Sequence, residues 1–196
     1  MVIIILAGGK GSRIGAPKAD LLLGDKSLLE WTVLALGPLA AELLVVSSSA
    51  PRTLPAEVRL ITGEAADVGP LGALAVGLQA AGAASFVTGC DTPFLQPALV
   101  RRLFELAEGV PAVAPCDEKG FHPLCGVYQP ACLPMLAQLL ADGERRISAF
   151  LRAIGARLVE VEELREFDPE LRSFFNINTP ADFALAQQLL QRLPQK

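Results

Sequence analysis

Short apolar runs recur along the chain, and between them apolar residues return at three- and four-residue spacing. The runs at residues 2–6, 43–47, 58–61, 85–88, 112–115, 124–128 and 157–161 read as strands. Several are apolar at almost every position, the pattern of parallel strands covered on both faces. Helices read between them. Ser27-Leu-Leu-Glu30 is a capping box that opens the helix carrying Trp31. Pro70 opens a second helix with Leu71, Leu74, Ala75 and Leu78 in one stripe. Pro97 opens a third, with Leu99, Val100, Leu103 and Phe104 inward and Arg101, Arg102 and Glu105 outward. Thr179-Pro-Ala-Asp182 caps a last helix over residues 180–193, with proline at the first helical position, where it is well suited. This alternation predicts an α/β protein: a three-layer α/β/α, Rossmann-like sandwich around a mainly parallel sheet. Its 196 residues suit one domain, 1–196, without internal repeats.

Composition narrows the function classes. Hydrophobic residues make up 52% and charged residues 19%, which is globular rather than disordered. A net charge of −4 offers no basic footprint for nucleic acid and no basic anchor for an anionic membrane. No charged residue occurs between Asp67 and Asp91, a length that raises a membrane helix. Pro70, five glycines, Gln79, Ser85 and Thr88 divide that stretch into a helix and then a strand. The N-terminus enters its apolar run at Val2 without a basic leader or a small-residue cleavage site, so it reads as a strand. Cys90, Cys116, Cys125 and Cys132 form no C-x-x-C pair and His122 is the single histidine, so the spacing of a zinc site is missing. Disulfide stapling is not expected either.

In parallel α/β sheets, ligands bind beyond the carboxyl ends of the strands, so the residues after each apolar run carry the chemistry. The first such segment runs from Leu6 and Ala7 through Gly8, Gly9, Gly11, Arg13 and Gly15 to Lys18. Four glycines let backbone N–H groups approach a polyphosphate, and Arg13 and Lys18 supply cations. The loop is not a Walker A loop, because Gly11 follows Lys10, and it is not the dinucleotide fingerprint, because Ile14 stands where the third glycine belongs. An ordinary glycine-rich turn is the competing reading. Gly89-Cys-Asp-Thr-Pro93 follows the fourth run and places Asp91 at the ligand edge, where one carboxylate can hold magnesium whose other ligands are phosphates and water. A turn or capping role competes for Asp91. Cys90 reads as a packed small residue, and His122, between Phe121 and Pro123, as structural. Gly69-Pro-Leu-Gly72 brings a helix start to the same edge. Arg145 and Arg146 precede a helix and suit phosphate contacts, although a solvated helix start accounts for them too. Asn176 and Asn178 stand just before the last capped helix, where asparagine is also a favoured turn residue.

Taken in order, Leu6-Ala-Gly-Gly, Arg13-Ile-Gly and Lys18, Gly69-Pro-Leu-Gly, Cys90-Asp-Thr-Pro, Gly143-Glu-Arg-Arg and Asn176-Ile-Asn-Thr-Pro resemble the motifs of molybdenum cofactor guanylyltransferases along nearly the whole chain. The resemblance implies a nucleotidyltransferase fold and transfer of GMP from GTP to the terminal phosphate of molybdopterin. The products would be the guanine dinucleotide cofactor and pyrophosphate. It also implies magnesium dependence, a cytoplasmic setting, and transient contact with proteins that deliver or receive the cofactor. Carried onto these residues, Leu6, Ala7, Gly8, Gly9 and Lys18 match nucleotide-binding positions, and Asp91 matches the metal-binding aspartate. Arg13, Lys18 and Asp91 are the expected catalytic set. Arg145, Arg146, Asn176 and Asn178 are the expected contacts to the pterin substrate.

Two departures stand out. Members of that family often carry asparagine after the second strand, where this chain has Ser47-Ser-Ser, and often carry an aspartate where it has Thr62. Asp67 is a candidate substitute. A cytidylyltransferase, another nucleotidyltransferase of the same fold, and a non-catalytic GTP-binding module are the alternative readings. The cytidylyl and sugar-type relatives usually read Leu-Ala-Ala-Gly in the first loop and lack Asp-Thr-Pro. The joint presence of Arg13, Lys18 and Asp91 speaks for turnover.

Overall fold

The computed structural model describes residues 1–8, 17–62 and 69–192. The strands are β1 (Val2–Leu6), β2 (Leu22–Leu23), β3 (Lys26–Ser27), β4 (Glu42–Ser47), β5 (Val58–Thr62), β6 (Ser85–Gly89), β7 (Ala112–Asp117), β8 (Gly120–Phe121), β9 (Cys125–Tyr128) and β10 (Arg157–Glu160). The helices are α1 (Leu28–Leu36), α2 (Pro70–Ala81), α3 (Pro97–Leu106), α4 (Leu133–Ala141), α5 (Ile147–Ala153) and α6 (Pro180–Arg192).

The central sheet has the order β10-β7-β9-β6-β1-β4-β5, with the short β8 paired to β7. β1 pairs in parallel with β4 and β6, β4 with β5, and β10 with β7. The expected mainly parallel sheet is borne out. Its exceptions are β9, which runs antiparallel to both β6 and β7, and the short β8, which runs antiparallel to β7. Nothing in the apolar pattern of residues 124–128 distinguishes that direction, because a central strand buries both faces either way.

Alternation along β1 explains the layers, since successive side chains of a strand point to opposite faces. Ile3 and Ile5 enter one core with Leu29 and Val33 of α1 and Leu99 and Leu103 of α3. Ile4 and Leu6 enter another with Leu71 and Leu74 of α2, Leu136 of α4 and Phe150 of α5. The sheet is thus the middle layer. Gly77 lets α2 settle closely on it, because a Cβ there would lie 2.7 Å from Ile4 Cγ2 and 3.1 Å from Val46 Cγ2.

Both expected capping boxes form. Ser27 Oγ accepts the Glu30 N–H at 3.1 Å, and Glu30 Oε2 accepts the Ser27 N–H at 2.7 Å. Thr179 Oγ1 accepts from Asp182 N at 3.1 Å, and Asp182 Oδ2 accepts from Thr179 N at 2.8 Å. A third, smaller core joins Leu23 of the β2–β3 hairpin, Leu28, Phe94, Ile177 and Ala186. It docks α6 beside the hairpin and brings the segment after Phe174 next to the loop after β6. The boundaries differ little from the apolar pattern: Val161 begins a 3-10 turn instead of ending β10. The pattern misses α4, whose Leu-Pro-Met start looks like a break although proline is tolerated in a first helical turn.

Candidate active site

The chain leaves β1 still tied to its neighbours: Ala7 N donates to Val46 O at 2.9 Å, and Cys90 N donates to Leu6 O at 3.2 Å. The carboxyl ends of β1, β4 and β6 therefore lie side by side. They open onto a cleft of about 630 Å³ lined by Leu6, Ala7 and Gly8, by Lys18 and Asp20, by Ser47 to Pro51, by Gly69 and Pro70, by Gly89 to Asp91, and by Leu124. A smaller cavity of about 330 Å³ lies by Arg102, Arg157 and Phe167, against the edge strand β10 and away from those strand ends.

Asp91 is held by the turn that ends β6. Thr88 and Thr92 share a hydrogen bond of 2.9 Å between their hydroxyls, and Thr92 Oγ1 donates to Gly89 O at 3.0 Å. Gly89 leaves room for the carboxylate, since a Cβ on it would collide with Asp91 Oδ1 and turn that side chain away. The main chain of Asp91 is tied across the fold as well, its carbonyl accepting from Ile177 N at 3.0 Å. That bond places Asn178 beside it. Lys18 Nζ donates to Asp91 Oδ2 at 2.7 Å and to Asn178 Oδ1 at 2.6 Å. The side chains of Lys18 and Asp91 are about one-fifth exposed, 22% and 19%, so the pair is neither dry nor fully screened.

Asn178 is fixed from behind: its N–H donates to Asp182 Oδ2 at 3.0 Å, and that backbone bond is the largest cause lowering the Asp182 carboxyl below its usual range. The segment leading to it is braced by Asp168, which is 2% exposed and accepts from Arg172 N at 3.1 Å and Ser173 N at 2.8 Å. Ser173 Oγ in turn accepts from Gln96 N at 2.9 Å, at the start of α3.

The structure thus brings together Leu6, Ala7, Gly8, Lys18, Asp91 and Asn178 from the residues expected to matter. Asn176 is exposed and its Nδ2 donates to Phe174 O at 3.3 Å. Arg145 and Arg146 are not among the described residues lining the cleft. Arg145 Nη1 donates to the carbonyls of Leu140 and Glu144 at 3.1 and 2.8 Å, and Arg146 pairs with Glu144 at 2.7 Å. The Arg146 guanidinium pulls the Glu144 carboxyl down to about 2. Gly9, Arg13 and Asp67 lie outside the described residues.

Cys90 is 3% exposed, and burial, aided by the Asp91 charge, pushes its thiol up to about 12, so it is a packing residue and not a nucleophile. His122 Nε2 lies 3.0 Å from Asp117 Oδ2 and its ring packs on Phe174 at 4.9 Å between centroids. Thr62 ends β5 and does not line the cleft, whereas Ser47, Ser48 and Ser49 do. In the sequence these serines show only as a departure from a motif. The strand-end rule does point at them, because they follow β4, but nothing local marks Asp20 or Leu124.

A family model described as a MobA-like NTP transferase domain matches residues 3–161. The chain belongs to the MobA-like NTP transferase family. The sequence resemblance to molybdenum cofactor guanylyltransferases is borne out. The chain is 36% identical over 194 residues to the molybdenum cofactor guanylyltransferase of Cereibacter sphaeroides, covering 96% of each chain. It is similar in structure to molybdopterin-guanine dinucleotide biosynthesis protein A from Archaeoglobus fulgidus, with a TM-score of 0.88 and 29% identity over 98% of this chain and 100% of that one. The 2-C-methyl-D-erythritol 4-phosphate cytidylyltransferase of Thermus thermophilus shares the fold at a TM-score of 0.71 and 25% identity, covering 96% of this chain and 98% of that one. No helix among the described residues is long and apolar enough to cross a membrane.

Proposed function

We propose that this protein transfers GMP from GTP to the terminal phosphate of molybdopterin, yielding the guanine dinucleotide cofactor and pyrophosphate. The observation that carries the reading is the convergence of Asp91 and Asn178 on the Lys18 ammonium, beside the cleft lined by Leu6, Ala7 and Gly8. The Cereibacter and Archaeoglobus relatives support the substrate pair by their names.

A nucleotidyltransferase of this family works with a divalent metal, which we assign as magnesium held by Asp91. The donor set fits: two hard oxygens, Asp91 Oδ2 and Asn178 Oδ1, already converge on one cationic group, the Lys18 ammonium. The described residues hold no cluster of three or more acidic, histidine or cysteine ligands, as suits a metal whose coordination is completed by phosphates and water. When bound, magnesium neutralises the triphosphate and the pyrophosphate leaving group.

The protein's own part is positioning and charge. Lys18, together with Arg13 and the glycine loop, balances phosphate charge, and Asn178 aims the Lys18 ammonium. Leu6, Ala7, Gly8 and Gly9 let the backbone approach the nucleotide. The attacking phosphate is already an anion, so no general base is required, consistent with a cleft whose described lining has no histidine. Asn176, Arg145 and Arg146 serve the pterin side. The enzyme works in the cytoplasm as one domain, and it meets the proteins that deliver or accept the cofactor only transiently.

The decisive experiment measures pyrophosphate release from GTP and from CTP with magnesium and molybdopterin. Release from GTP that depends on molybdopterin is expected. Faster release from CTP would move the protein to the cytidylyl reading that its Thermus structural relative represents, and no release from either would leave a nucleotide-binding module.

A further inference from the structure

Asp20 lies two residues beyond Lys18, in the 3-10 turn Lys18–Asp20, and lines the same cleft. A carboxylate beside a polyphosphate site disfavours the anion, so its presence calls for a local task. Its Oδ1 accepts the backbone N–H of Arg52 at 2.8 Å. The chain between β4 and β5 contains no helix or strand, and its one described internal backbone hydrogen bond joins Val58 N to Pro55 O at 3.1 Å. At its start the loop is held by Ser47, whose Oγ donates to Ala7 O and accepts from Ser49 N, both at 3.4 Å. The Asp20–Arg52 bond is shorter and charge-assisted, and it clasps the far end of the wall to the turn carrying Lys18.

Between those anchors run Ser48, Ser49, Ala50 and Pro51, all lining the cleft. This stretch offers hydroxyls, main-chain groups and small apolar surface but no cation, whereas Lys18 and Asp91 concentrate the charge. It suits a flat heterocycle with a polar edge and not a phosphate. We infer that Asp20 is a positioning residue for base selection: its bond to Arg52 fixes the Ser48–Pro51 wall, and that wall sets which nucleotide base the cleft accepts. The inference rests on the nucleotidyltransferase reading above.

The test titrates Mg–GTP and Mg–CTP into the parent protein, Asp20→Ala and Asp20→Asn, with hydrogen exchange at the Arg52 amide read in parallel. Asparagine keeps the carbonyl acceptor and removes the charge. Asp20→Ala should weaken GTP binding roughly tenfold, the effect of one charge-assisted hydrogen bond, and bring the GTP-to-CTP affinity ratio towards one. Its kcat at saturating GTP should stay within about twofold of the parent while KM rises, because the wall acts on binding and not on the transition state. The Arg52 amide should exchange faster. Asp20→Asn should recover most of the affinity and the ratio. If Asp20→Ala does not fold, Arg52→Pro removes the donor instead and should give the same loss of base preference. Unchanged binding in Asp20→Ala, equal loss for GTP and CTP, or an asparagine variant as poor as alanine would each overturn the inference. A parent that binds neither nucleotide would overturn the proposed function and this inference with it, whereas a parent that binds GTP separates the two.

Discussion

Lys18 Nζ sits 2.7 Å from Asp91 Oδ2 and 2.6 Å from Asn178 Oδ1, so one ammonium occupies the point on which both oxygens converge. Residues 73 and 160 positions from Lys18 in the chain supply those oxygens. A divalent cation would be drawn to the same place, so on the proposed function the lysine would compete with metal at Asp91 while assisting the phosphates.

Lys18→Met separates the two effects. Binding of Mn2+ alone, followed by its EPR signal, should tighten because the competing ammonium is gone. Binding of the metal–GTP complex should weaken by roughly 1.5–3 kcal/mol, the range for a hydrogen bond to a charged group. Unaltered affinity for both would mean that Lys18 only ties Asp91 to Asn178 and has no part in binding.

Gly89 is the quiet partner of Asp91. Gly89→Ala must push the carboxylate aside or shift the end of β6, because its Cβ would meet Asp91 Oδ1. The displaced atom is the end of a rotatable, partly exposed carboxylate, so the Tm should change little while the carboxylate leaves its place. Turnover should fall nearly as far as in Asp91→Ala, for which a loss of at least ~10²-fold is expected in a folded protein. Parental turnover of Asp91→Ala at saturating magnesium would remove Asp91 from the metal, and parental turnover of Gly89→Ala would show that the carboxylate keeps its place.

Gly8 lines the cleft at the third position of Leu-Ala-Gly-Gly. If the base rests against it, the missing Cβ leaves room for the larger purine, and Gly8→Ala should blunt the preference for GTP over CTP. A steric difference of this size is worth about 1–3 kcal/mol, so selectivity should fall without reversing. The readout is the ratio of kcat/KM for the two nucleotides in parent and variant, and an unchanged ratio would shift base choice wholly to other residues.

Arg145 and Arg146 stand outside the described cleft lining, with Arg146 held by Glu144. If they serve the pterin, replacing both with Ala should raise KM for molybdopterin and leave KM for GTP within about twofold, since uniform binding of one substrate is lost. Equal rises for the two substrates, or no change in either, would count against a pterin role.

The layers and most of their punctuation are written in the local pattern of residues. Continuous apolar runs demand burial on both faces, and the capping boxes at Ser27 and Thr179 are bonds within four residues, so both the α/β class and the helix starts follow from neighbours in the chain. The place of Asp91 at the cleft is legible for a related reason: ligand sites in such sheets gather at strand ends, and strand ends can be counted. The remaining features depend on contacts with no local signature. The antiparallel course of β9 follows from its pairing with β6 and β7, not from its own residues. Asn178 reaches Lys18 because the core of Leu23, Phe94 and Ile177 docks α6 beside the hairpin. Asp20 looks like an ordinary turn residue in the sequence, and its tie to the loop after β4 arises only when folding sets Arg52 N 2.8 Å from its carboxylate. Secondary structure and strand-end chemistry are encoded by short-range periodicity, whereas the assembly of the site is fixed by which buried surfaces must meet.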